Sequence, residues 1–472
     1  MTPAIFPLSP LQYLCARATA LLFAVAAGAV VAIEVASLAL GFAVATLLLF
    51  AIYQAYWIFE ALLLFALSAL EVRSLRDQDL AGPAPPTDLG RGVTVCIPAY
   101  NEAEGLVGTL RSLASQEVAL AEVIVVNDGS EDKTLTRLIE AFALSHQGQG
   151  QWRGSAWPEL LVIDAPHGGK AAALNRGLEL AGGEIFVTVD ADTRFEPQSF
   201  TRLLQPYGDD PSLAMVAGVM VPTAPGLDRQ EGLPRQTLGF FQTIEYALDF
   251  VRRIGWQRSN AAHVMSGAFS SFRTAWLRQA GGFLDDTVTE DYEVVHRLRA
   301  EAVRRREVWR FATAPDAVAY THAPVTTKAL LRQRIRWFQG FLQTHIKYRR
   351  MIGRARYGWF GALAMPVKTI DAIAPALFVM VYAFLAIDLA ALDRSLAVEV
   401  VVISLGLRIS SETLVSAASL LVRRNRIAPS YGAGQLAIMI VALPPYLLWR
   451  RALWVWIGLA AYRRLATGKR AW

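Results

Sequence analysis

The chain has 472 residues, of which 54% are hydrophobic, and a mean hydropathy of +0.33. This composition is too apolar for an ordinary soluble protein, and the charged middle of the chain excludes a bundle made only of membrane helices. Many arginines of this chain, whose net charge is +6, lie near apolar segments. This distribution favours an anionic membrane leaflet and an anionic diphosphate ligand over nucleic acid.

Two apolar segments open the chain. Residues 11–36 and 41–70 are each long enough to cross roughly 30 Å of hydrocarbon as a helix. The start lacks a cationic region and a small-residue cleavage site, which indicates a retained anchor rather than a cleaved signal peptide. Residues 71–91 are polar and rich in Pro and Gly, and they are predicted to form a linker.

From residue 92 to residue 325, short apolar strands alternate with segments of helical periodicity. This alternation predicts a largely parallel sheet covered by helices on both faces. Ligands of such sheets bind at the carboxyl ends of the strands. The strands are predicted at 93–97, 122–126, 160–163 and 184–189, and the helices at 103–115, 131–145 and 170–181.

The chain becomes membrane-like again after residue 325. Residues 326–358 are rich in Arg and aromatic residues, which is typical of helices at a membrane interface. The region 359–472 is predicted to hold two to three spans and a basic tail. Its last apolar stretch is interrupted by Pro444-Pro445 and Arg450-Arg451, so it is either a further span or a re-entrant segment.

An acidic pair closes the apolar run of residues 184–189. Asp190 and Asp192 are two positions apart, and side chains at alternate positions of a strand point to the same face. Two carboxylates at a strand's carboxyl end are suited to bind Mg²⁺ or Mn²⁺ together with a phosphorylated ligand. An acidic turn without a ligand would have the same pattern.

Polar residues follow the other predicted strands. The first strand ends in Pro98–Glu102 and the second in Asn127–Ser130, and the latter also fits an Asx turn that caps a helix. His167–Lys170 is a glycine turn before a helix start. It is suited to contact an anion, although a plain loop would look the same.

Two later motifs each fit either a role in a functional site or an ordinary structural role. Thr289-Glu290-Asp291 precedes a helix-like run, where acidic residues are favoured, and it offers a carboxylate suited to act as a general base. Gln333, Arg336 and Trp337 combine a phosphate-binding guanidinium with a flat platform for a sugar ring. A helix lying at a membrane interface is rich in the same residues.

The order of these motifs resembles that of the processive family 2 glycosyltransferases, which include poly-N-acetylglucosamine, hyaluronan, chitin and cellulose synthases. The motifs are Pro-x-Tyr-Asn-Glu, Asn-Asp-Gly-Ser, Gly-Lys-x-x-x-Leu-Asn, Asp-x-Asp, Thr-Glu-Asp and Gln-x-x-Arg-Trp. The resemblance covers residues 92–345. In size and layout the chain is most similar to the poly-β-1,6-N-acetylglucosamine synthases, and residues 266–273 resemble their acceptor-side segment. The cysteine-bearing form of that segment in cellulose synthases is absent.

The resemblance implies an α/β domain of GT-A type, with a Rossmann-like mixed sheet, inserted between α-helical transmembrane segments. It also implies roles for individual residues. Tyr100, Glu102 and Asp128 would hold the nucleoside of a UDP-sugar, with Lys170 near the base. Asp190 and Asp192 would contact the diphosphate and its Mg²⁺ or Mn²⁺. Asp291 would be the general base, Gln333 and Arg336 would bind the diphosphate, and Glu290, Trp337, Ser266 and Gly267 would contact the acceptor sugar.

The function implied by the resemblance is that of a membrane-bound, inverting, processive glycosyltransferase. It would polymerise a sugar, N-acetylglucosamine by resemblance, from a UDP-sugar into an exported β-linked polysaccharide. The alternatives are an enzyme that adds one sugar to a membrane lipid and an inactive binding subunit on the same scaffold. The expected location is the bacterial inner membrane, crossed several times, with a cytoplasmic catalytic domain. A small membrane accessory subunit is an expected partner, together with the bilayer and the growing polysaccharide.

Overall fold

The computed structural model describes residues 42–79, 92–223, 233–392, 394–422 and 432–468. The chain divides into two units. The first, here called the sheet unit, comprises Asp77–Arg253 and Ala262–Leu330. The second, here called the helical unit, comprises residues 42–76, Ile254–Ala261 and the described residues from Leu331 onward. The apolar segment predicted at 11–36 lies outside the described residues.

Ten strands among the described residues form one mixed sheet. The order is β3-β4-β5-β2-β1-β6-β9-β8-β10-β7. The pairs β5–β2, β2–β1, β1–β6 and β8–β10 are parallel, and the other neighbouring pairs are antiparallel. The strands are β1 (Val93–Ala99), β2 (Glu122–Asp128), β3 (Leu144–Gly148), β4 (Gln151–Gly154), β5 (Leu160–Ala165), β6 (Ile185–Val189), β7 (Arg194–Phe195), β8 (Leu213–Thr223), β9 (Phe269–Arg273) and β10 (Arg310–His322).

The helices follow the same chain order. They are α1 (Phe42–Asp79), α2 (Leu106–Ala114), α3 (Thr134–Phe142), α4 (Lys170–Leu180), α5 (Ser199–Asp209), α6 (Leu233–Gln257), α7 (Thr274–Gln279), α8 (Glu290–Arg305), α9 (Thr327–Lys347), α10 (Met365–Leu392), α11 (Arg394–Val422), α12 (Ala433–Val441) and α13 (Leu443–Ala466).

The central strands are continuously apolar because helices cover both faces of the sheet. Val95 and Ile97 of β1 pack into one buried cluster with Leu110 of α2. Cys96, between them, packs into a second cluster with Leu174 of α4. Since successive side chains of a strand alternate faces, a strand covered on both sides buries nearly all of its side chains, which are therefore mostly apolar. The strands predicted near 93, 122, 160 and 184 are therefore confirmed.

The helix predicted over 131–145 is wrong at its end. α3 stops at Phe142 because Ala143 adopts a left-handed conformation, with φ of +48°. The chain then forms β3, which pairs with β4 across a turn in which Gly148, Gln149 and Gly150 all have positive φ. The two glycines were the available signal for a hairpin. The linker predicted over 71–91 is also wrong in part, because α1 continues through Asp79.

The helical unit contains two helical segments long and apolar enough to cross a membrane, Leu48–Leu67 in α1 and Phe360–Ile387, which runs through a π-helical turn into α10. α12 and α13 pass the same test only as a pair bent by 57°. This bend coincides with Pro444 and Pro445 at the start of α13, where proline removes backbone hydrogen-bond donors. The pair is one broken span or a re-entrant loop, the two alternatives that the sequence also left open.

Asn175 fastens α4 to the loop after α7. Its Nδ2 donates to the Phe283 carbonyl and its Oδ1 accepts from the Phe283 amide, both at 2.8 Å. Asn175→Ala should lower the free energy of unfolding by about 2 kcal/mol, because two hydrogen bonds are lost and the Phe283 backbone is left unsatisfied. Denaturation of purified protein followed by fluorescence measures the change. Gln147→Ala, in the exposed hairpin, is the control and should have no effect.

Candidate active site

The predicted ligand-binding residues of the sheet unit come together at the carboxyl ends of β1, β2 and β6. Because these strands are parallel, their carboxyl ends meet at one edge of the sheet, where α/β folds bind ligands. Residues 98–102, 127–130 and 190–192 lie at this edge. Lys170 and Asp291 reach it from the starts of α4 and α8.

Asp128 organises the glycine turn that precedes α4. Its two carboxylate oxygens accept from the amides of Gly168 and Gly169, each at 2.8 Å. The ring nitrogen Nδ1 of His167 lies 3.0 Å from Oδ2 of the same carboxylate. Gly129 has φ of +70°, and a Cβ at that position would lie 2.7 Å from the backbone nitrogen of His167. The predicted Asx turn is thus replaced by contacts to a loop that is distant in sequence.

Tyr100 and His167 form an aromatic surface at the same edge. Their ring centroids are 4.5 Å apart, and the Tyr100 side chain is 44% exposed. Asn101, with φ of +58°, fixes this turn by accepting from the amide of Glu131 at 2.9 Å. The arrangement offers an exposed ring face on which a planar base can stack.

Carboxylates are concentrated beside this surface. Burial and the charges of Asp192 and Asp190 raise the pKa of Glu102 to about 7. Burial and the charge of Asp190 raise the pKa of Asp192 as well, and His322 opposes that rise. The loop is held because the Ala191 carbonyl accepts from Thr109 Oγ1 at 2.6 Å. These carboxylates therefore repel one another at a fixed place in the fold.

His322 was missed in the sequence. It ends β10, which pairs with β8 in parallel, and its charge lowers the pKa of Asp192 against the effect of burial. The available signal was a histidine at the end of an apolar run, but the sequence did not indicate that 310–322 is a strand of this sheet. Histidine and carboxylate together are a common donor set for divalent metals.

Lys170 joins the acidic edge to α8. Its Nζ lies 2.8 Å from Asp190 Oδ1 and 3.1 Å from Glu290 Oε1. Burial disfavours the charged amine, but Asp190, Glu290 and Asp291 outweigh burial and hold the pKa of Lys170 above its usual range. The amine thus neutralises carboxylates from two different elements and ties the start of α8 to the end of β6.

Asp291 is held in a defined orientation. Its Oδ2 accepts from the Gly267 amide at 3.1 Å and its Oδ1 from the Tyr292 amide at 2.8 Å. Burial and the neighbouring Glu290 raise the pKa of Asp291, whereas Lys170 and the two amides oppose the rise. A carboxylate with a raised pKa is a stronger base, so the position suits proton abstraction.

The segment 266–268 contacts both Asp291 and Asp190. Besides the contact of Gly267 with Asp291, the Ala268 carbonyl accepts from the Asp190 amide at 3.3 Å. Ser266 contributes its carbonyl to the local turn, where it accepts from Ser270 Oγ at 2.5 Å. The predicted residues Ser266, Gly267, Glu290 and Asp291 are therefore brought together with Lys170 and Asp190.

Gln333, Arg336 and Trp337 lie on α9, in the part that belongs to the helical unit. Arg334, which the sequence did not single out, donates to Gln333 Oε1 and lies over the Trp337 ring at 4.1 Å. Trp337 remains 39% exposed. Their contacts with a ligand stay predictions.

Protein side chains alone do not form a complete metal site in the described ranges. These ranges contain no group of three or more His, Cys, Asp or Glu residues placed to hold an ion. Asp190 is shared with Lys170, which leaves Asp192 and His322 as the donors without an ion-pair partner of their own among the described residues. Such a set fits a divalent cation that completes its coordination with phosphate oxygens and water.

Comparisons with known proteins identify this region. Residues 94–281 match the family Glycosyl transferase family 2. The chain contains a family 2 glycosyltransferase domain. The predicted resemblance to this family and the predicted glycosyltransferase class are confirmed.

The relatives add detail. The poly-β-1,6-N-acetyl-D-glucosamine synthases of Staphylococcus epidermidis and Staphylococcus aureus (strain COL) are 29% and 28% identical over 252 residues, which are 53% of this chain and 54% of each relative. The match thus spans about half the length of these curated relatives. A mannosyltransferase from Pyrobaculum calidifontis, solved with GDP-Man and Mn²⁺, has a TM-score of 0.51 and 20% identity and covers 88% of this chain and 99% of its own. This similarity confirms the GT-A fold with its mixed sheet.

The raised pKa of Glu102 gives a stability prediction. Its pKa in the folded protein, about 7, exceeds the ordinary value of 4.5, so the folded state loses stability as the pH rises between these values. Glu102→Gln removes the charge and should raise the melting temperature of the ligand-free protein at about pH 8 but not at about pH 4. Melting curves at both pH values, with Glu104→Gln as the control, test this. An equal shift at both pH values would contradict it.

Close packing around Gly267 gives a prediction about turnover. A Cβ at this position would lie 2.8 Å from the Asp291 Cβ. Gly267→Ala should therefore displace Asp291 and lower kcat about tenfold or more, while the donor KM changes little. Steady-state release of the donor's nucleotide measures both constants. Gly92→Ala is the matched control, because its added Cβ would meet Glu184 at an ordinary 3.7 Å; unchanged kcat in Gly267→Ala would refute the positioning role.

Proposed function

We propose that the protein is an inverting, processive glycosyltransferase of the bacterial inner membrane that extends a β-linked polysaccharide from a UDP-sugar. The observation that carries this proposal is the contact of Lys170 with both Asp190 and Glu290, the chain neighbour of Asp291, which brings the donor-side carboxylate and the candidate base into one site. N-acetylglucosamine is the proposed sugar because curated relatives are named for its polymer.

Asp291 would act as the general base. An inverting transfer requires that the acceptor hydroxyl lose its proton as it attacks the anomeric carbon, and one carboxylate suffices for this step. The amides of Gly267 and Tyr292 orient the carboxylate, and burial strengthens it as a base. A glycosidase would instead require two carboxyl groups flanking the scissile bond.

Asp192 and Asp190 would contact Mg²⁺ or Mn²⁺ at the donor diphosphate, whose oxygens would complete the coordination. The bound cation would offset the negative charge that develops on the departing UDP. The carboxylates of this chain would bind the cation, and Lys170 keeps Asp190 in place through its ion pair. We infer from these contacts that Lys170 positions Asp190, at the diphosphate, relative to the candidate general base Asp291. Lys170 would therefore not contact the nucleobase.

Tyr100 would stack on the nucleoside base with His167 beneath it. Glu102 is the proposed partner of the ribose at the same edge. Asp128 supports the site through the glycine turn, because both of its oxygens accept from that turn. Gln333 and Arg336 would bind the diphosphate, and Trp337 would provide a platform for the acceptor sugar.

The helical unit supports a membrane location, because two of its helical segments are long and apolar enough to span a bilayer. A polymerase placed there, with its sheet unit in the cytoplasm, would receive UDP-sugar from inside the cell. Its partners would then be the bilayer, the growing polysaccharide and a small membrane accessory subunit.

Asp291→Asn tests the base assignment. The variant should bind UDP with unchanged affinity but lose transfer by at least about a hundredfold, because it removes the base and leaves the diphosphate corner intact. Calorimetry with UDP and Mg²⁺ or Mn²⁺ measures binding, and UDP release from UDP-N-acetylglucosamine measures transfer. Asp285→Asn, on the exposed loop nearby, is the control. Near-normal turnover in Asp291→Asn would refute the role.

Product length tests the polymerase. Purified protein supplied with UDP-N-acetylglucosamine should yield a long chain on a sizing gel that a β-1,6-N-acetylglucosamine hydrolase digests. A single-sugar glycolipid would exclude processive synthesis.

A further inference from the structure

A cluster of charged side chains lies inside the helical unit, on helices that are otherwise largely apolar. Arg408 Nε and Arg451 Nη2 both contact the same oxygen, Oε1 of Glu412, at 3.3 and 2.5 Å. Arg408 Nη1 also donates to Gln54 Oε1 at 3.2 Å. The cluster therefore connects α1, α11 and α13.

The charges of this cluster do not balance. Among the residues that the structure describes, two guanidinium cations share one carboxylate, which leaves one positive charge in excess, and Arg408 is only 4% exposed. An excess charge at an apolar, buried position is costly, and arginine in such a place normally has an anionic partner.

A second charged cluster in the described part of the chain, on α1 and α10, has two carboxylates for one ammonium group but does not contact the two arginines. Glu60 and Asp371 contact Lys368 at 3.8 and 2.6 Å. Glu60 is roughly 9 Å from Gln54 along the helix axis. No hydrogen bond or ion pair between described residues joins either acid to Arg408 or Arg451.

Buried hydrogen-bond donors surround the excess charge. The Arg408 guanidinium lies over the rings of Tyr53 and Trp57, 4.9 and 5.0 Å from their centroids. The Tyr53 hydroxyl and the Trp57 indole nitrogen are buried and have no hydrogen-bond partner among the described residues. Buried polar groups are normally paired. Among the described residues, the cluster thus has one carboxylate for two guanidinium groups and two buried donors that lack an acceptor.

We propose that this cluster binds the phosphate group of an anionic phospholipid. Phosphate oxygens supply the missing charge and the missing acceptors at once, and guanidinium groups bind phosphate with paired donors. The bilayer is the source of the ligand because α1 contains a segment apolar enough to span it. The proposal rests on the proposed membrane location, but it does not depend on which sugar is transferred.

Lipid binding to the purified full chain tests the proposal. Native mass spectrometry should show tighter binding of phosphatidylglycerol than of phosphatidylcholine. Arg451→Met should weaken phosphatidylglycerol binding about tenfold or more, because charge-assisted hydrogen bonds are lost. Glu412→Gln should preserve or strengthen binding, because the excess positive charge grows. Arg463→Met, on the exposed side of the same helix, is the control and should bind as the unaltered protein does.

Opposite results would overturn the proposal. Equal binding of the two lipids, or equal weakening by Arg451→Met and Glu412→Gln, would show an internal ion-pair network without a ligand. Displacement of phosphatidylglycerol by inorganic phosphate or by N-acetylglucosamine oligosaccharides would show that a lipid is not the specific ligand. Asp291→Asn should bind phosphatidylglycerol normally, so failure of the sugar-transfer proposal is distinguishable from failure of this one.

Discussion

The ion pairs of Lys170 connect the parts of the site that must work together. A carboxylate at the end of β6 and a carboxylate at the start of α8 are separated by about a hundred positions in sequence, yet both contact the same amine. Without that cation, Asp190, Glu290 and Asp291 would be neighbouring anions in a partly buried place, which is unfavourable. Lys170 in turn begins α4 directly after the glycine turn that Asp128 holds. The catalytic arrangement therefore depends on a chain of contacts from β2 through α4 to β6 and α8.

The acidic edge is left with more negative charge than the sheet unit neutralises. Glu102 and Asp192 both have raised pKa values, which reflect burial and mutual repulsion. Such an arrangement is unfavourable for folding on its own and favourable for binding a divalent cation and its diphosphate. The repulsion that lowers the stability of the folded protein would be relieved when a divalent cation binds, and this relief would contribute to its affinity.

The helical unit shows the opposite imbalance. There, Arg408 and Arg451 exceed their carboxylate partner, and buried donors of Tyr53 and Trp57 remain unpaired among the described residues. Both imbalances are informative because folded proteins pair buried charges and polar groups wherever the chain itself can supply a partner. A cation at the acidic edge and a lipid phosphate at the arginines would complete them.

The sequence by itself determined the central strands and the polar residues at their carboxyl ends. Short, nearly continuous apolar runs such as those of β1 and β6 favour buried strands over other elements. Asp190 and Asp192 follow the end of β6, in a turn that the strand pattern did not predict. The ordered motifs also identified the glycosyltransferase family. Only the tertiary structure decided that Asp128 holds the glycine turn, that Gly267 touches Asp291 and that the charge of His322 acts on Asp192. It also revealed the β3–β4 hairpin and the arginine cluster. These features join residues far apart in the chain, and local periodicity contains no information about contacts that form only when distant elements pack together.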